Sequence, residues 1–153
     1  MKLVVVGDAP YNKEYIQKLK STRDPRIIFT GYIFGKSYKE FQSNAYIYIQ
    51  ATEVGGTHPA LLEGMGYGNC VLANDVPEHR EVLADAGFYF SVNHQNDLSQ
   101  KIQYLCDHPE VVEKYREFTT KRVKQKYSWE KVTQDYERLF YKQLQSIKKS
   151  EQV

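Results

Sequence analysis

Five short apolar runs alternate with longer amphipathic stretches, and this alternation constrains the fold more than any other feature of the sequence. Short continuous apolar runs are typical of strands that are buried on both faces, as in parallel sheets. Strands of this kind joined by helices predict an α/β fold, a doubly wound parallel sheet of about five strands with helices on both faces. The runs are Lys2–Val6, Arg26–Thr30, Ala45–Gln50, Asn69–Ala73 and Ala86–Phe90.

Capping residues mark where the intervening helices begin. Ser37 with Glu40 three residues later is a capping-box pattern, and Asp75 before Pro77 is typical of a helix start. At 153 residues the chain is expected to form one domain, residues 1–149, followed by a frayed tail at 150–153. The predicted helices run from Asn12 or Lys13 to Lys20, Ser37 to Ser43, Pro59 to Met65, Pro77 to Ala84, Asn96 or Asp97 to Cys106, Pro109 to Lys126, and from Ser128 through a long closing helix.

The composition excludes several classes of protein. No apolar run reaches the roughly 20 residues that a membrane-spanning helix needs. The first residues, MKLVVVGDAP, have too short an apolar part for a signal peptide. Cys70 and Cys106 give neither a disulfide framework nor metal-ligand spacing, and the four histidines are scattered. We therefore expect buried thiols in a reducing compartment, and neither a metal site nor a metal cofactor.

Charge is unevenly distributed along the chain. From Lys114 to Lys149 there are eleven Lys and Arg against four Asp and Glu, a net charge of +7, whereas residues 1–113 carry a net charge of −4. The simpler interpretation is a solvated helix face, because the charges are interspersed with apolar residues at helical spacing. The alternative is contact of these basic helices with an anionic membrane surface or an acidic partner. The basic and aromatic pattern of nucleic-acid-binding proteins is not found, so no nucleic-acid partner is expected.

The stretch TEVGGTHPALLEGMGYGNCVLAN, residues 52–74, contains the candidate site. Gly55 and Gly56 have no Cβ, so a ligand can approach the backbone closely there. Pro59 suits the first turn of a helix, whose free amide groups would point back at the loop and suit a phosphate or a sugar hydroxyl. Glu63 lies one turn further along the same face, where its carboxylate could accept hydrogen bonds from the two hydroxyls of a ribose.

A purely structural interpretation of the same stretch is also open. Glycine-rich loops before helices are common in α/β proteins. His58 is a helix N-cap or a loop filler as readily as a ligand contact. The position of the loop favours the ligand interpretation, because parallel sheets bind ligands at the carboxyl ends of their strands. The residues expected in the core are Leu61, Leu62 and Met65.

Four segments in order resemble the nucleotide-sugar-binding domain of GT-B-fold retaining glycosyltransferases, glycosyltransferase family 4, group 1. IIFTGYI is similar to the segment before the base pocket of that family, and AYIYIQATEVGGTHPALLEGMGYGNCVLA is similar to its glycine loop and P-x-x-x-E-x-M-x-x-G helix. PEHREVLADAGFYF and YSWEKVTQDYERLF resemble the downstream segment and the closing helix. The segment VGGTHPALLE is most similar to rhamnosyltransferase-like members of the family. The resemblance covers nearly the whole chain and implies the Rossmann-like half of a GT-B fold.

The resemblance implies a role for each residue of the site. Glu63 would bind the ribose hydroxyls of the donor. Leu62 would pack near the ribose, with its amide facing the phosphates. Gly31, Tyr32 and Ile33 would line the base pocket. The residues that would meet the diphosphate and the donor sugar are Gly55, Gly56, Thr57, His58, Pro59 and Ala60.

Two departures from the family pattern limit what the resemblance implies. The family's signature is two glutamates separated by seven residues, but Gly55 occupies the first of these positions and the nearest upstream acid is Glu53. Either Glu53 or the backbone amides of Gly56, Thr57 and His58 would take over that contact with the donor sugar. The Gly-Arg…Lys segment that holds the diphosphate, and the amino-terminal acceptor-binding domain, have no match in this chain.

Two functions follow from the resemblance and its departures. The first is the donor-binding domain of a retaining glycosyltransferase that moves a hexosyl group from a nucleotide diphosphate sugar to a saccharide or lipid-linked acceptor, without a metal. Such a protein would act in polysaccharide biosynthesis, in the cytoplasm or at the inner face of the membrane. The acceptor-binding domain would lie on another segment or another chain, and this chain alone is not expected to be active. The alternative is a non-catalytic nucleotide-binding or partner-docking module that kept the fold.

Overall fold

Strands and helices alternate through most of the computed structural model, which describes residues 1–56 and 58–150, the last three of these by their backbone alone. The described chain forms two compact units, Met1–Phe41 and Gln42–Val153. Of the predicted tail at 150–153, all but the helical backbone of Ser150 lies outside the described residues. The elements are β1 (Leu3–Val6), α1 (Lys13–Lys20), β2 (Ile27–Gly31), α2 (Gly35–Asn44), β3 (Ile47–Gln50), α3 (Pro59–Gly66), β4 (Cys70–Asn74), α4 (Pro77–Leu83), β5 (Phe88–Phe90), α5 (Asp97–Asp107), α6 (Pro109–Lys126) and α7 (Trp129–Ser150).

The first unit contains a parallel pair of strands, in which Leu3 of β1 is opposite Ile27 of β2. The pairing ends at two glycines with positive φ, and the amide of Gly7 donates to the carbonyl of Gly31 over 2.8 Å. Helix α1 is capped by Asn12, whose side chain accepts from the amide of Tyr15. The boundary between the two units falls within α2.

The second unit contains a three-stranded parallel sheet in the order β3-β4-β5. All five residues of the central strand β4 are buried. Apolar clusters cover both faces of this strand, because Val71 and Ala73 pack in one cluster while Cys70 packs in another. The first cluster is completed by Leu61, Met65, Val82 and Leu83 of α3 and α4, and the second by Leu105 and Val112 of α5 and α6.

The predicted fold class is confirmed. Each of the five predicted strands is present and parallel, although the five are hydrogen-bonded as one pair and one trio. Most helix boundaries agree within two residues, and Ser128 caps the closing helix by accepting from the amide of Lys131 over 3.2 Å. The prediction that Asp75 caps α4 was wrong, since the N-cap is Val76 and the Asp75 carboxylate binds Arg80 instead.

The closing helix α7 presents its apolar stripe to the surface. Among the described side chains, the exposed members of this stripe include Trp129, Tyr136, Leu139, Phe140, Leu144 and Ile147. Within the described residues, no helix combines the length and the apolar character needed to cross a bilayer.

Candidate functional site

The loop from Ala51 to His58 leaves the sheet at the carboxyl end of β3, next to the carboxyl end of β4. Polar side chains tie the beginning of this loop to the two strands. The Gln50 amide nitrogen donates to the Thr52 hydroxyl over 2.5 Å, and the Asn74 amide nitrogen donates to the Thr52 carbonyl over 3.3 Å. The loop therefore starts from a fixed point.

Helix α3 is anchored firmly behind the loop. Leu61 and Met65 are completely buried in the core. Gly64 lies against the ring of Tyr48, so close that a Cβ on this glycine would be 3.0 Å from two ring carbons. The side chain of Asn69 is buried and donates to the carbonyl of Gly64 over 3.0 Å. These contacts fix the position of the amino end of α3 relative to the sheet.

The amino end of α3 begins with the predicted proline, but not every amide that was predicted to face a ligand is free to do so. His58 is the N-cap residue, its side chain makes no capping hydrogen bond, and Pro59 follows as the first helical residue. The amides of Leu61 and Leu62 both donate to the His58 carbonyl, over 2.9 and 3.3 Å. The expectation that the Leu62 amide faces phosphates was therefore wrong, because the fourth helical residue already satisfies its N–H within the helix. Ala60 lies in the first turn, where a backbone N–H has no acceptor within the helix, so its amide is the one that can face a ligand.

The two loop glycines differ in their surroundings. Gly55 has φ +145°, and a Cβ at this position would be 2.7 Å from Cε1 of the His58 ring. A side chain at Gly55 would be strained and would displace that imidazole. Gly56 has open space where a Cβ would be. Thr57, the remaining loop residue predicted to contact the ligand, lies outside the described residues.

A second histidine, which the sequence analysis missed, lies beside the first. His79 in α4 is only 1% exposed, and its ring centroid is 5.3 Å from that of His58. Its Nδ1 lies 2.8 Å from the carbonyl oxygen of Asn74. The available signal was its spacing, because His79 precedes the buried Val82 and Leu83 by three and four residues and so shares their face of α4.

Glu63 is exposed on α3, one turn after Pro59, as the sequence predicts. Leu62 is partly buried and packs against the apolar core. The remaining predicted site residues, Gly31, Tyr32 and Ile33, belong to the first unit. Gly31 ends β2 with φ +66°, Tyr32 is exposed and stacks on Phe34, and Ile33 is partly buried.

An open cavity of about 470 Å³ borders the edge strand β5. An ion pair between Asp75 and Arg80 lies at its wall, and hydrogen bonding to Arg80 lowers the pKa of the Asp75 carboxyl. The Arg80 guanidinium also lies 4.6 Å from the ring centroid of Tyr89. Burial raises the pKa of Tyr89 to about 12. Arg80 is thus already paired with Asp75, and a second carboxylate, Asp97, lines the cavity together with Lys101. Because two carboxylates line it, this cavity is a weaker candidate for an anion site than the amino end of α3.

No group of three or more His, Cys, Asp or Glu side chains within the described part of the chain is placed to hold a metal ion. Cys70 is buried, and this burial raises the pKa of its thiol to about 12. A thiol with that pKa stays protonated at neutral pH, so it is a poor nucleophile and a poor metal ligand.

The fold and the loop together define a parallel α/β domain with a glycine loop and a helix start at the carboxyl ends of its strands, where such domains bind their ligands. A family model described as glycosyl transferases group 1 matches residues 1–108. The chain therefore belongs to the glycosyl transferases group 1 family. No curated protein matches the chain.

Several solved structures share this fold. HepE of Anabaena, solved in complex with UDP, matches with a TM-score of 0.82 at 15% identity, over 93% of this chain and 41% of HepE. The carboxyl-terminal domain of LpcC from Francisella tularensis matches with a TM-score of 0.74 at 20% identity, over 84% of this chain and 70% of that domain. Sucrose-phosphate synthase from Thermosynechococcus elongatus matches with a TM-score of 0.80 at 19% identity, over 95% of this chain and 39% of the synthase. The chain thus spans about two fifths of HepE and of the synthase.

Proposed function

We propose that this chain is the donor-binding domain of a retaining glycosyltransferase that uses a nucleotide diphosphate sugar. The observation that carries the proposal is the fixed amino end of α3, with Ala60 in its first turn and Glu63 one turn further, at the carboxyl ends of β3 and β4. A helix start attracts phosphates through its free amides and its dipole. A carboxylate one turn deeper suits the paired hydroxyls of a ribose.

The relatives support a nucleotide-sugar ligand. HepE has been solved with UDP and also with UDP-glucose. In this chain, the diphosphate would meet the backbone amides of Gly56, Thr57, His58 and Ala60. The leaving diphosphate would be stabilised by these amides and the helix dipole rather than by a metal. The assignment to family 4 rests on the four segments that resemble that family, and the rhamnosyltransferase-like specificity rests on the sequence VGGTHPALLE.

Calorimetry with the variant Glu63→Gln tests the site. A hydrogen bond to a charged group is worth about 1.5–3 kcal/mol, so the variant should bind nucleoside diphosphate at least about tenfold more weakly. Glu137→Gln is the matched control, because it removes an exposed helical carboxylate from α7 instead. Equal affinity of the Glu63→Gln variant and the unmodified chain would refute the assignment of the ribose contact.

Sugar transfer requires more than donor binding. Catalysis needs acceptor positioning and leaving-group stabilisation, together worth on the order of 8 kcal/mol or more. This chain spans about two fifths of HepE, and we propose that a saccharide or lipid-linked acceptor is bound by another segment or another chain. The 153-residue chain should therefore bind the donor without transferring sugar, and transfer by the isolated chain would contradict this division of labour.

The second candidate function is a non-catalytic module that binds nucleotides or docks a partner. The exposed apolar stripe of α7 favours it, because an uncovered row of large apolar side chains is a typical interaction surface. Light scattering tests the docking part of this second function. A clean monomer at high concentration would count against obligate self-docking, whereas nucleotide binding alone would fit both functions.

We further propose that the protein acts in polysaccharide biosynthesis and that it contacts the cytoplasmic face of a membrane. The net charge of +7 between Lys114 and Lys149 would attract anionic lipid headgroups. Co-sedimentation with vesicles that contain phosphatidylserine, compared with neutral vesicles at two salt concentrations, measures this contact. If the chain binds neither type of vesicle, the proposed membrane contact is wrong.

A further inference from the structure

Two imidazole rings lie next to each other near the amino end of α3, and one buried nitrogen of the pair has no hydrogen-bond partner among the described residues. His58 is half-buried at the N-cap of α3, and His79 is buried in α4. Their ring centroids are 5.3 Å apart and their planes are inclined by 57°. Among the described residues, Nε2 of His79 has no hydrogen-bond partner although it is buried.

The contact at the other ring nitrogen defines what Nε2 needs. A backbone carbonyl can only accept, so the Nδ1 atom of His79 carries the proton and donates it to Asn74 over 2.8 Å. In a neutral imidazole the second nitrogen is then an acceptor. Nε2 of His79 is therefore a buried acceptor waiting for an N–H or O–H donor, and leaving such an atom unpaired is costly.

The His58 ring, whose centroid is 5.3 Å from that of His79, contains such a donor. A neutral imidazole has one N–H and one acceptor nitrogen, so it can bridge two partners at once. Gly55 has no Cβ, and this leaves the space beside Cε1 of His58 in which the ring is seated. Because His58 is half-buried, its outer edge is accessible to a ligand in the loop.

We propose that His58 and His79 form a hydroxyl-binding pair for the transferred sugar, an inference that rests on the proposed donor-binding function. When the nucleotide sugar binds, the His58 ring donates its N–H to Nε2 of His79. The other nitrogen of His58 accepts a hydrogen bond from a hydroxyl of the sugar. His58 is the contact residue, and His79 is a positioning residue that selects the ring orientation through its own bond to Asn74.

The helix dipole determines which groups of the loop bind the phosphates and which bind the sugar. The amino end of α3 favours anions, so the phosphates are expected at the backbone amides. The imidazole edge is then left for a neutral polar group, and a sugar hydroxyl is the group that adjoins the diphosphate in a nucleotide sugar. The pair should therefore affect the sugar more than the nucleotide.

Calorimetry on the full 153-residue chain tests this difference. The probes are matched pairs: UDP with UDP-glucose, GDP with GDP-mannose, and dTDP with dTDP-glucose. In the pair that binds, His58→Ala should weaken the nucleotide sugar about five- to tenfold and change the nucleoside diphosphate less than about twofold. His108→Ala is the control, because this histidine lies at the junction of α5 and α6.

The variant His79→Asn tests whether His79 orients the His58 ring or only supports the fold. Its side-chain amide can keep the donor to the Asn74 carbonyl while it removes the acceptor at Nε2. It should weaken the nucleotide sugar severalfold and leave the nucleoside diphosphate unchanged. His79→Gln, which can place an acceptor further out, should restore part of the loss.

Four results would overturn the inference. Equal losses for nucleoside diphosphate and nucleotide sugar would show a structural effect, and no loss of either would show that the rings do not contact the ligand. An unmodified chain that binds nucleoside diphosphates as tightly as their sugars would also overturn it, while the proposed nucleotide site would stand. If the unmodified chain binds no probe at all, the proposed function fails and the inference fails with it.

Discussion

The strand β4 and the strand pair β1 and β2 have similar sequences but different surroundings. Both CVLA in β4 and LVVV in β1 are continuous apolar runs. The four apolar residues of β4 are 0% exposed, whereas Leu3 and Val6 of β1 are each 42% exposed. A run of apolar residues therefore predicts a strand in both units, but its burial is decided by the helices that pack on it.

This difference matters for the site. The glycine loop and α3 are attached to the fully buried strand, where clusters on both faces hold the scaffold. Binding groups need a rigid scaffold if their hydrogen bonds are to be strong and selective. The second unit provides such a scaffold around Glu63, and this is why the proposed function depends mainly on that unit.

The largest effect is expected from shortening core side chains in the two units. Leu72→Ala in β4 should reduce the free energy of unfolding by about 2–5 kcal/mol, because it leaves a cavity in a fully buried site. Leu3→Ala in β1 should cost less than about 1 kcal/mol, because much of its surface is already in water. Urea denaturation measures both losses, and equal losses would contradict the difference in burial between the two strands.

A smaller effect is expected at the contact between α3 and β3. Gly64→Ala places a methyl group 3.0 Å from the Tyr48 ring, which should cost about 1–3 kcal/mol and shift the helix that positions Glu63. Gly66→Ala is the matched control in the same helix, because a Cβ there meets open space. It should be neutral or stabilising by up to about 1 kcal/mol. Thermal denaturation and nucleotide affinity should change together for Gly64→Ala alone.

The smallest effect is expected at the edge strand β5. The Tyr89 hydroxyl donates to the carbonyl of Ala84 over 2.5 Å, so Tyr89→Phe should cost about 0.5–1.5 kcal/mol at neutral pH. Burial raises the pKa of Tyr89 in the folded chain to about 12, above the value of about 10 for a free tyrosine. Its contribution is therefore complete below about pH 10 and is lost as the pH rises towards 12.

The pH dependence of unfolding checks this sign. The unmodified chain should lose stability between about pH 10 and 12, and Tyr89→Phe should lose less over the same range. A steeper alkaline loss in the variant than in the unmodified chain would contradict the assigned burial of the hydroxyl.

Much of this fold could be predicted because local signals and burial agree. The apolar run at β4, the proline at the start of α3 and the serine before α7 each act over a few residues, so their effects are visible in the sequence. The division of the strands into a pair and a trio could not be predicted. It depends on hydrogen bonds between strands that are distant along the chain.

The geometry of the candidate site could be predicted in part for the same reason. Gly55, Pro59 and Glu63 are near one another in sequence, and helical geometry is enough to place Pro59 and Glu63 on one face. The engaged amide of Leu62 was misjudged, because helix capping at His58 decides which N–H groups stay free. His79 was missed because its partners, Asn74 and His58, come from other elements.

The proposed function requires that a nucleoside diphosphate binds at the amino end of α3. A titration followed by amide chemical shifts in nuclear magnetic resonance tests it most directly, with the nucleoside diphosphate that binds most tightly. We expect the largest shifts at Gly55, Gly56, Ala60 and Glu63, and unchanged shifts in α6 and α7. Shifts concentrated instead at Asp75, Arg80 and Lys101, around the cavity beside β5, would contradict it.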